Sequence, residues 1–332
     1  MKLIDAIRPQ SDTRLAIVGT GGKSVTLFRL ARQISGPVIV SVSTDLGVNQ
    51  IEHADYHYIV RRREEFTPLR ETIKGGISLV TAGEGTGNWM KGLSFAMLEE
   101  LNEIAHSHNA PLLLMTDYPK RKTLKAPTQQ GPLIPDFIES MIVLVDIGVL
   151  GEPVISDWAN HPDMYSILSG LKIGDAITPQ AMINGLVDEN GILKNISKGV
   201  RKITFLNEVD TPEQAGVARR MVKPLQKAYD VVVIGRTLDE GDEVKAAFVK
   251  VAGVILAAGG STRMGTSKQL LQWAGQTLVR LAAEKALKAG LDPVVVVTGA
   301  SHREVRKAVE DLEVDIVHNP DWEKGQSTSV KS

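Results

Sequence analysis

Short apolar runs of strand length recur along the first three quarters of the chain, and most are separated by segments of helix length. The runs are almost wholly apolar and rich in β-branched residues, at positions 15–18, 38–42, 77–81, 112–115, 142–145, 203–206 and 231–234. Apolar runs that alternate with amphipathic segments indicate βα units around a parallel sheet buried on both faces. The pattern therefore predicts an α/β fold.

The predicted helices carry recognisable start signals. Thr178 and Thr211 each precede a proline and are typical N-cap residues. After Lys23, apolar residues recur on one helical face, so a helix is predicted to begin there.

The charged stretch LDEGDEVK at 238–245 contains Gly241 and follows the last of these runs. Such a stretch is typical of a loop, so a linker is predicted at 239–250. It separates a first domain, 1–238, from a second α/β region, 251–332. In the second region the pattern predicts strands at 251–256, 293–298 and 314–317, and helices at 278–288 and 303–312.

The composition fits a globular protein of this kind. A chain of 332 residues with 43% hydrophobic content is long enough for about two domains with ordinary cores. Its 38 lysines and arginines nearly balance 39 aspartates and glutamates, which argues against a nucleic-acid surface. Cysteine is absent, and no signal peptide or membrane segment is evident, so a cytoplasmic location is expected.

A glycine-rich loop follows the first predicted strand of the second region, in the sequence VILAAGGSTRMGTSKQLL at 254–271. Gly259 and Gly260 allow the backbone to approach a ligand closely and to expose successive N–H groups to phosphate oxygens. Arg263 and Lys268 supply the positive charge that nucleotidyl transfer needs at the attacked and leaving phosphates. The alternative is a glycine turn with two solvated basic residues.

The loop LAAGGSTRMGTSKQLL closely resembles the signature loop of nucleotidyltransferases with a GT-A-like, Rossmann-like fold, and particularly of molybdenum cofactor cytidylyltransferases. The stretches VVVVTG, NPDW and GQSTSVKS agree with that family in the same order. The resemblance implies catalytic roles for Arg263 and Lys268 on the triphosphate, and a contribution from 326–329 on the cytosine or pterin side. It also implies nucleotide contacts from Leu256, Ala257, Ala258, Gly259, Gly260 and Ser261.

The implied reaction is attack by the terminal phosphate of molybdopterin on the α-phosphate of CTP, with Mg²⁺ bridging the phosphates. The family's metal-binding aspartate lies on a strand after the serine-rich stretch, and this sequence stops at Ser332. The second domain is therefore expected to be truncated and the chain to transfer CMP inefficiently.

A second glycine-rich loop lies near the start of the chain, in LAIVGTGGKS at 15–24. It is a short Walker A variant, with Ile17 where the full spacing needs glycine, and it places an anion site at a helix N-terminus. We predict nucleotide contacts from Gly19, Thr20, Gly21, Gly22, Lys23 and Ser24. Ser24 is also predicted to bind metal. The alternative is a tight turn with an exposed lysine.

Three further polar residues follow predicted strands of the first domain. Asp117 ends PLLLMTD, as a Walker B aspartate near Mg²⁺ would, although buried strands often end in aspartate. Asn207 and Asp210 in FLNEVD resemble the base-reading element NKxD of GTPases, with Glu208 in place of the lysine. A capping role for Asp210 is an equal alternative.

Taken together, GTGGKS, TLKAP, IGVLGEPV, GDAITPQ and FLNEVD resemble the P-loop accessory proteins of selenium-dependent molybdenum hydroxylases. The resemblance implies ATP or GTP as ligand and a molybdenum hydroxylase apoprotein as partner. The sequence thus predicts a P-loop-like parallel-sheet domain fused to part of a molybdopterin cytidylyltransferase. Two alternatives stay open: a non-catalytic nucleotide-dependent chaperone, and a nucleotidyltransferase for a sugar or isoprenoid phosphate.

Overall fold

The computed structural model describes residues 1–10, 12–116, 124–125, 134–155, 159–160, 162–238, 241–262 and 264–331. The chain forms two compact units, Met1–Val249 and Lys250–Ser332. Within the described ranges, no helix has the length and apolar character needed to cross a membrane.

A nine-stranded sheet is the framework of the first unit. The strands of this unit are β1 (Arg14–Gly19), β2 (Pro37–Val42), β3 (Leu46–Gly47), β4 (Tyr56–Ile59), β5 (Gly76–Thr81), β6 (Gly83–Glu84), β7 (Trp89–Lys91), β8 (Leu112–Met115), β9 (Leu124–Lys125), β10 (Ser140–Asp146), β11 (Ala159–Asn160), β12 (Arg201–Asn207), β13 (Val231–Gly235) and β14 (Val244–Val249). The nine-stranded sheet has the order β14-β13-β12-β10-β1-β8-β2-β5-β4 and is parallel except for β14. The predicted α/β class is confirmed.

Strand β1 lies in the middle of this sheet, and all six of its residues are buried. Leu15 and Ile17 join one hydrophobic cluster, whereas Ala16 and Val18 join clusters without them. Successive side chains of a strand point to opposite faces, so both faces of the sheet are covered. This burial explains why the strand sequences are apolar runs rather than alternating patterns.

The helices of the first unit connect the strands, and the predicted N-caps are confirmed. These helices are α1 (Leu3–Ile7), α2 (Lys23–Gln33), α3 (Thr67–Glu71), α4 (Phe95–Ser107), α5 (Pro162–Ser169), α6 (Pro179–Val187) and α7 (Pro212–Leu225). The Thr178 hydroxyl accepts the N–H of Ala181 at 3.1 Å, and the Thr211 hydroxyl accepts that of Gln214 at 3.2 Å. Each bond satisfies a donor at the start of its helix.

The stretch 239–250, predicted to be a linker, contains an edge strand of the sheet. Strand β14 pairs antiparallel with β13, and Val244 is only 1% exposed. Its backbone N–H also donates to the carbonyl of Met1 at 3.0 Å. The sequence did not predict this strand, because charged residues directly precede Val244. An edge strand is also only half-buried and tolerates polar residues such as Lys245, so it lacks a continuous apolar run.

The second unit is built on a three-stranded parallel sheet of order β15-β18-β19. Its strands are β15 (Gly253–Ala257), β16 (Gln272–Trp273), β17 (Gln276–Thr277), β18 (Val294–Thr298) and β19 (Asp315–His318), and its helices are α8 (Leu278–Lys288), α9 (His302–Val309) and α10 (Gln326–Lys331). A small core joins Ala257 and Val296 to Val279 and Ala283 of α8 and Val305 of α9.

Replacing Val244 by Ala tests whether the last strand belongs to the first unit. We expect Val244→Ala to lower the free energy of unfolding by about 1–3 kcal/mol, because it removes buried methyl groups from the core. Val251→Ala is the matched control, since Val251 is 57% exposed and lies outside any strand. Urea denaturation measures both. Equal, negligible effects would show that 244–249 acts as a linker.

Candidate functional site: two glycine-rich loops at strand ends

The first glycine-rich loop leaves the carboxyl end of β1 and opens α2. Gly19 has a φ of +94°, and a Cβ there would lie 2.1 Å from the carbonyl oxygen of Leu144 on the neighbouring strand. Only glycine fits this position, because the conformation is left-handed and the strands approach too closely. The next N–H, of Thr20, donates to the same carbonyl at 2.8 Å.

The side chain of Asn207 holds the loop from the end of β12. Its Nδ2 donates to the carbonyl of Gly21 at 2.9 Å, and its Oδ1 accepts both the N–H and the hydroxyl of Thr237 at 2.8 Å. Thr26 holds the next carbonyl, because its hydroxyl donates to Gly22 at 2.9 Å. A trans peptide points its C=O and the following N–H in opposite directions, so the Gly22 N–H is directed away from Asn207.

This arrangement differs from the base-reading role predicted for Asn207. Its side chain is fully buried and hydrogen-bonded to protein on both ends of the amide, so it supports the loop backbone, and base reading stays a prediction. Asp210 is exposed and forms an ion pair with Arg236 at 2.9 Å. The capping alternative for Asp210 is wrong, since Thr211 caps α7.

Lys23 and Ser24 are the first residues of α2, and both are partly exposed. In the described part of the chain, no side chain caps this helix, and its first turn holds no acidic residue. An uncapped helix N-terminus with a preceding run of glycines suits a phosphate group. The structure thus brings Gly19, Thr20, Gly21, Gly22, Lys23 and Ser24 together with Asn207 at one sheet edge.

The predicted metal residue Asp117 lies outside the described residues, but another carboxylate reaches the loop. Asp146 ends β10, in register with Asn207 on β12. Asp146 follows an apolar run in the sequence, as Asp117 does, so the same pattern could have predicted Asp146 as a candidate metal ligand. Carboxylate and hydroxyl oxygens are the ligands that Mg²⁺ prefers, and Asp146 and Ser24 provide one of each. No group of three or more His, Cys, Asp or Glu suited to a metal occurs among the described residues.

A small cavity of about 30 Å³ lies beside Gly19 and Thr20. Its other walls come mainly from apolar residues of β10, α5 and α6, together with Tyr165. The Tyr165 hydroxyl is buried without a hydrogen-bond partner in the described residues, and burial raises the pKa of Tyr165 to about 12. The cavity has room for roughly one or two water molecules. The cavity is therefore too small to hold a nucleotide.

The second loop leaves the carboxyl end of β15 and is held by Gln269. This side chain is 7% exposed, and its Nε2 donates to the carbonyls of Ala257 at 3.1 Å and Gly259 at 2.6 Å. Its Oε1 accepts the hydroxyls of Ser261 at 3.2 Å and Ser267 at 2.9 Å. By the same peptide geometry, the Gly260 N–H points away from Gln269. Sequence reasoning missed this role, although Gln269 lies inside the conspicuous motif.

The two glycines of this loop differ in their surroundings. A Cβ on Gly260 would lie 2.8 Å from the ring of Trp322, whereas one on Gly259 would meet nothing within 4 Å. Gly299 also lies against Trp322, since a Cβ built on Gly299 would lie 2.7 Å from the Cβ of Trp322. The indole therefore packs on the loop backbone at Gly260.

The remaining predicted residues of the second loop differ in their exposure. Leu256 and Gly259 are exposed, Ala257 and Ala258 are buried, and Ser261 is partly buried. Lys268 is exposed, and its backbone N–H donates to the Ser261 hydroxyl at 3.0 Å. Arg263 lies outside the described residues.

The stretch 326–329, expected on the cytosine or pterin side, is divided between exposed and structural residues. Gln326 is exposed. The buried Asn319 side chain donates to the hydroxyls of Thr328 at 2.8 Å and Ser329 at 2.9 Å, so those two hydroxyls fix the chain after β19.

Comparison with known proteins finds a family match in each of the two units. Residues 253–332 match the MobA-like NTP transferase domain, and residues 15–163 match the family described as YqeC protein. The chain thus joins a YqeC-family domain to a MobA-like NTP transferase domain, and the predicted fusion is confirmed. No solved structure matches the chain.

Individual relatives agree with this division. The uncharacterized protein YqeC of Escherichia coli is 23% identical over 238 residues, which are 70% of this chain and 90% of that protein. The molybdenum cofactor cytidylyltransferase of E. coli is 35% identical over 80 residues, 24% of this chain and 41% of that enzyme. Nicotine blue oxidoreductase of Paenarthrobacter nicotinovorans is 42% identical over 80 residues, 24% of this chain and 39% of that protein. The chain therefore spans about two fifths of the length of these last two relatives.

Alanine at the two glycines of the second loop tests whether Trp322 packs closely on the loop backbone. We expect Gly260→Ala to lower the free energy of unfolding by about 1–3 kcal/mol, because the new methyl group overlaps the Trp322 ring. Gly259→Ala is the control and should change it by less than about 0.5 kcal/mol, since neither φ is left-handed and space is open. Thermal or urea unfolding measures both.

A smaller residue opposite Gly260 provides the decisive comparison. In a Trp322→Leu background, most of the cost of Gly260→Ala should disappear. An unchanged cost would contradict the packing account.

Substitution of Asn207 distinguishes loop positioning from base reading. We expect Asn207→Ala to weaken binding of ATP and GTP by the same factor, roughly tenfold or more, because the Gly21 carbonyl loses its buried donor. Asn184→Ala removes a comparable bond, to the Ser169 carbonyl at 3.2 Å, and serves as control. Titration calorimetry measures the affinities. A selective loss of one nucleotide would restore the base-reading interpretation.

Proposed function

We propose that the second unit binds the triphosphate of CTP and is part of a domain that transfers CMP to molybdopterin. One observation carries the proposal: Gln269 fixes the glycine loop so that the Gly260 N–H points away from its support, with Lys268 exposed beside the same turn. A loop N–H that is directed away from the supporting side chain and a nearby cation match what a triphosphate needs. The name of the E. coli cytidylyltransferase suggests the nucleotide and the acceptor.

The proposed chemistry is attack by the molybdopterin phosphate oxygen on the α-phosphate of CTP, with pyrophosphate leaving. Lys268 and Arg263 neutralise the charge that develops on the leaving group, and loop N–H groups orient the phosphates. Mg²⁺ supplies further positive charge when it is bound to the triphosphate. No covalent intermediate on the protein is needed.

A guanylyltransferase reaction is the principal competitor. A probable molybdenum cofactor guanylyltransferase of Opitutus terrae is 40% identical over 62 residues, 19% of this chain and 31% of that protein. A loop that contacts phosphates does not read the base, so competition between CTP and GTP must decide.

For the first unit we propose ATP or GTP binding at the loop 19–24, in support of molybdenum hydroxylase maturation in the cytoplasm. The uncapped start of α2 and the loop bonds of Asn207 support nucleotide binding. Its fusion to a MobA-like domain supports the molybdenum connection. Hydrolysis stimulated only by a client hydroxylase would identify a chaperone, and rapid client-free turnover would identify an enzyme.

Lysine substitutions test the second loop directly. We expect Lys268→Ala to weaken CTP binding in Mg²⁺ by roughly 10- to 100-fold, because it removes a charge-assisted contact with phosphate. Lys288→Ala removes an equally exposed lysine at the end of α8 and should leave binding unchanged. Titration calorimetry gives the affinities, and a pyrophosphate assay with molybdopterin tests transfer. Tighter binding of GTP than of CTP would contradict the assigned nucleotide.

A further inference from the structure

The carboxylate of Asp146 lies against the backbone of the first glycine-rich loop. Asp146 is the last residue of β10, and a Cβ built on Gly21 would lie 2.8 Å from the Asp146 Cβ. The loop backbone therefore passes directly over this side chain. A negative charge this close to a phosphate loop opposes the binding of an anion.

The bonding of Asp146 leaves much of its charge uncompensated. One carboxylate oxygen accepts the Gly148 N–H at 2.8 Å, and no ion pair to this side chain occurs among the described residues. Burial raises its pKa, the bond from Gly148 lowers it, and the charge of Asp210 raises it. Asp210 differs in having Arg236 as an ion-pair partner at 2.9 Å.

Turn capping alone does not require an aspartate at this position. The Gly148 bond starts the short turn Ile147–Val149, and an asparagine side chain accepts such a bond as well as an aspartate. What asparagine lacks is the charge. The charge of Asp146 is thus separable by experiment from its part in the turn.

We propose that Asp146 makes nucleotide binding at the first loop depend on a divalent cation. Its charge repels the metal-free nucleotide and attracts the complex of nucleotide and metal, so the protein selects the metal-loaded form. The proposal rests on nucleotide binding by the first unit. It assigns Asp146 an electrostatic role toward the ligand and no part in bond breaking.

Measurement of ATP and GTP affinity with EDTA and with Mg²⁺ tests this role. The Lys268→Ala background reduces the contribution of the second loop. We expect Asp146→Asn to bind metal-free nucleotide roughly fivefold more tightly and to lose roughly tenfold or more of the enhancement by Mg²⁺. Opposite changes in the two conditions cannot arise from a damaged fold.

Asp188→Asn is the matched control. Asp188 follows α6 and accepts the N–H of Asn190 at 2.7 Å, which is the same bond between residues two apart. It should leave both affinities unchanged. Asp146→Ser, which also retains a turn acceptor, replaces Asp146→Asn if the latter does not fold.

The outcomes separate this inference from the proposal on which it rests. If the protein binds ATP or GTP and Asp146→Asn keeps the original ratio between Mg²⁺ and EDTA, Asp146 only caps the turn and the inference is overturned. If neither nucleotide binds in either condition, nucleotide binding by the first unit is itself wrong, and the inference falls with it.

Discussion

Each glycine-rich loop depends on one buried carboxamide. Asn207 in the first unit and Gln269 in the second each donate to loop carbonyls while their oxygens accept hydroxyl groups of the protein. A glycine loop without such support samples many backbone conformations, and ordering it on binding costs free energy. Because the carboxamide orders the loop when the protein folds, ligand binding does not have to order it. Because a trans peptide points its C=O and its N–H in opposite directions, the N–H groups of the same peptides point away from the carboxamide.

The sheet explains why these residues meet. In the first unit β1 lies beside β10, and β10 lies beside β12, so their carboxyl ends reach one edge together. Asp146 and Asn207 are directly in register there. Ligands of open α/β sheets bind at the carboxyl ends of strands, and the loop is placed accordingly. The second unit repeats the principle with β15 and β18, where Trp322 packs on the loop from beyond the third strand.

Much of this fold could be predicted from the sequence, because parallel strands buried on both faces must be apolar runs. The cap residues Thr178 and Thr211 could also be predicted, since each bonds to a residue only three positions along the chain. The strand at Val244–Val249 was not, because an edge strand lacks that continuous apolar signal. Long-range partners were also hidden. Nothing local shows that Asn207 reaches Gly21, 186 residues away, and its likeness to a base-reading motif pointed elsewhere.

We propose that the chain holds two separate nucleotide sites, one on each loop. Titration calorimetry with ATP and CTP together in Mg²⁺ tests it most directly. The account predicts that the two nucleotides bind simultaneously, one of each per chain. Lys23→Ala should weaken only the binding of ATP, and Lys268→Ala only the binding of CTP. Mutual displacement of the two nucleotides, or loss of both through either single substitution, would contradict the account.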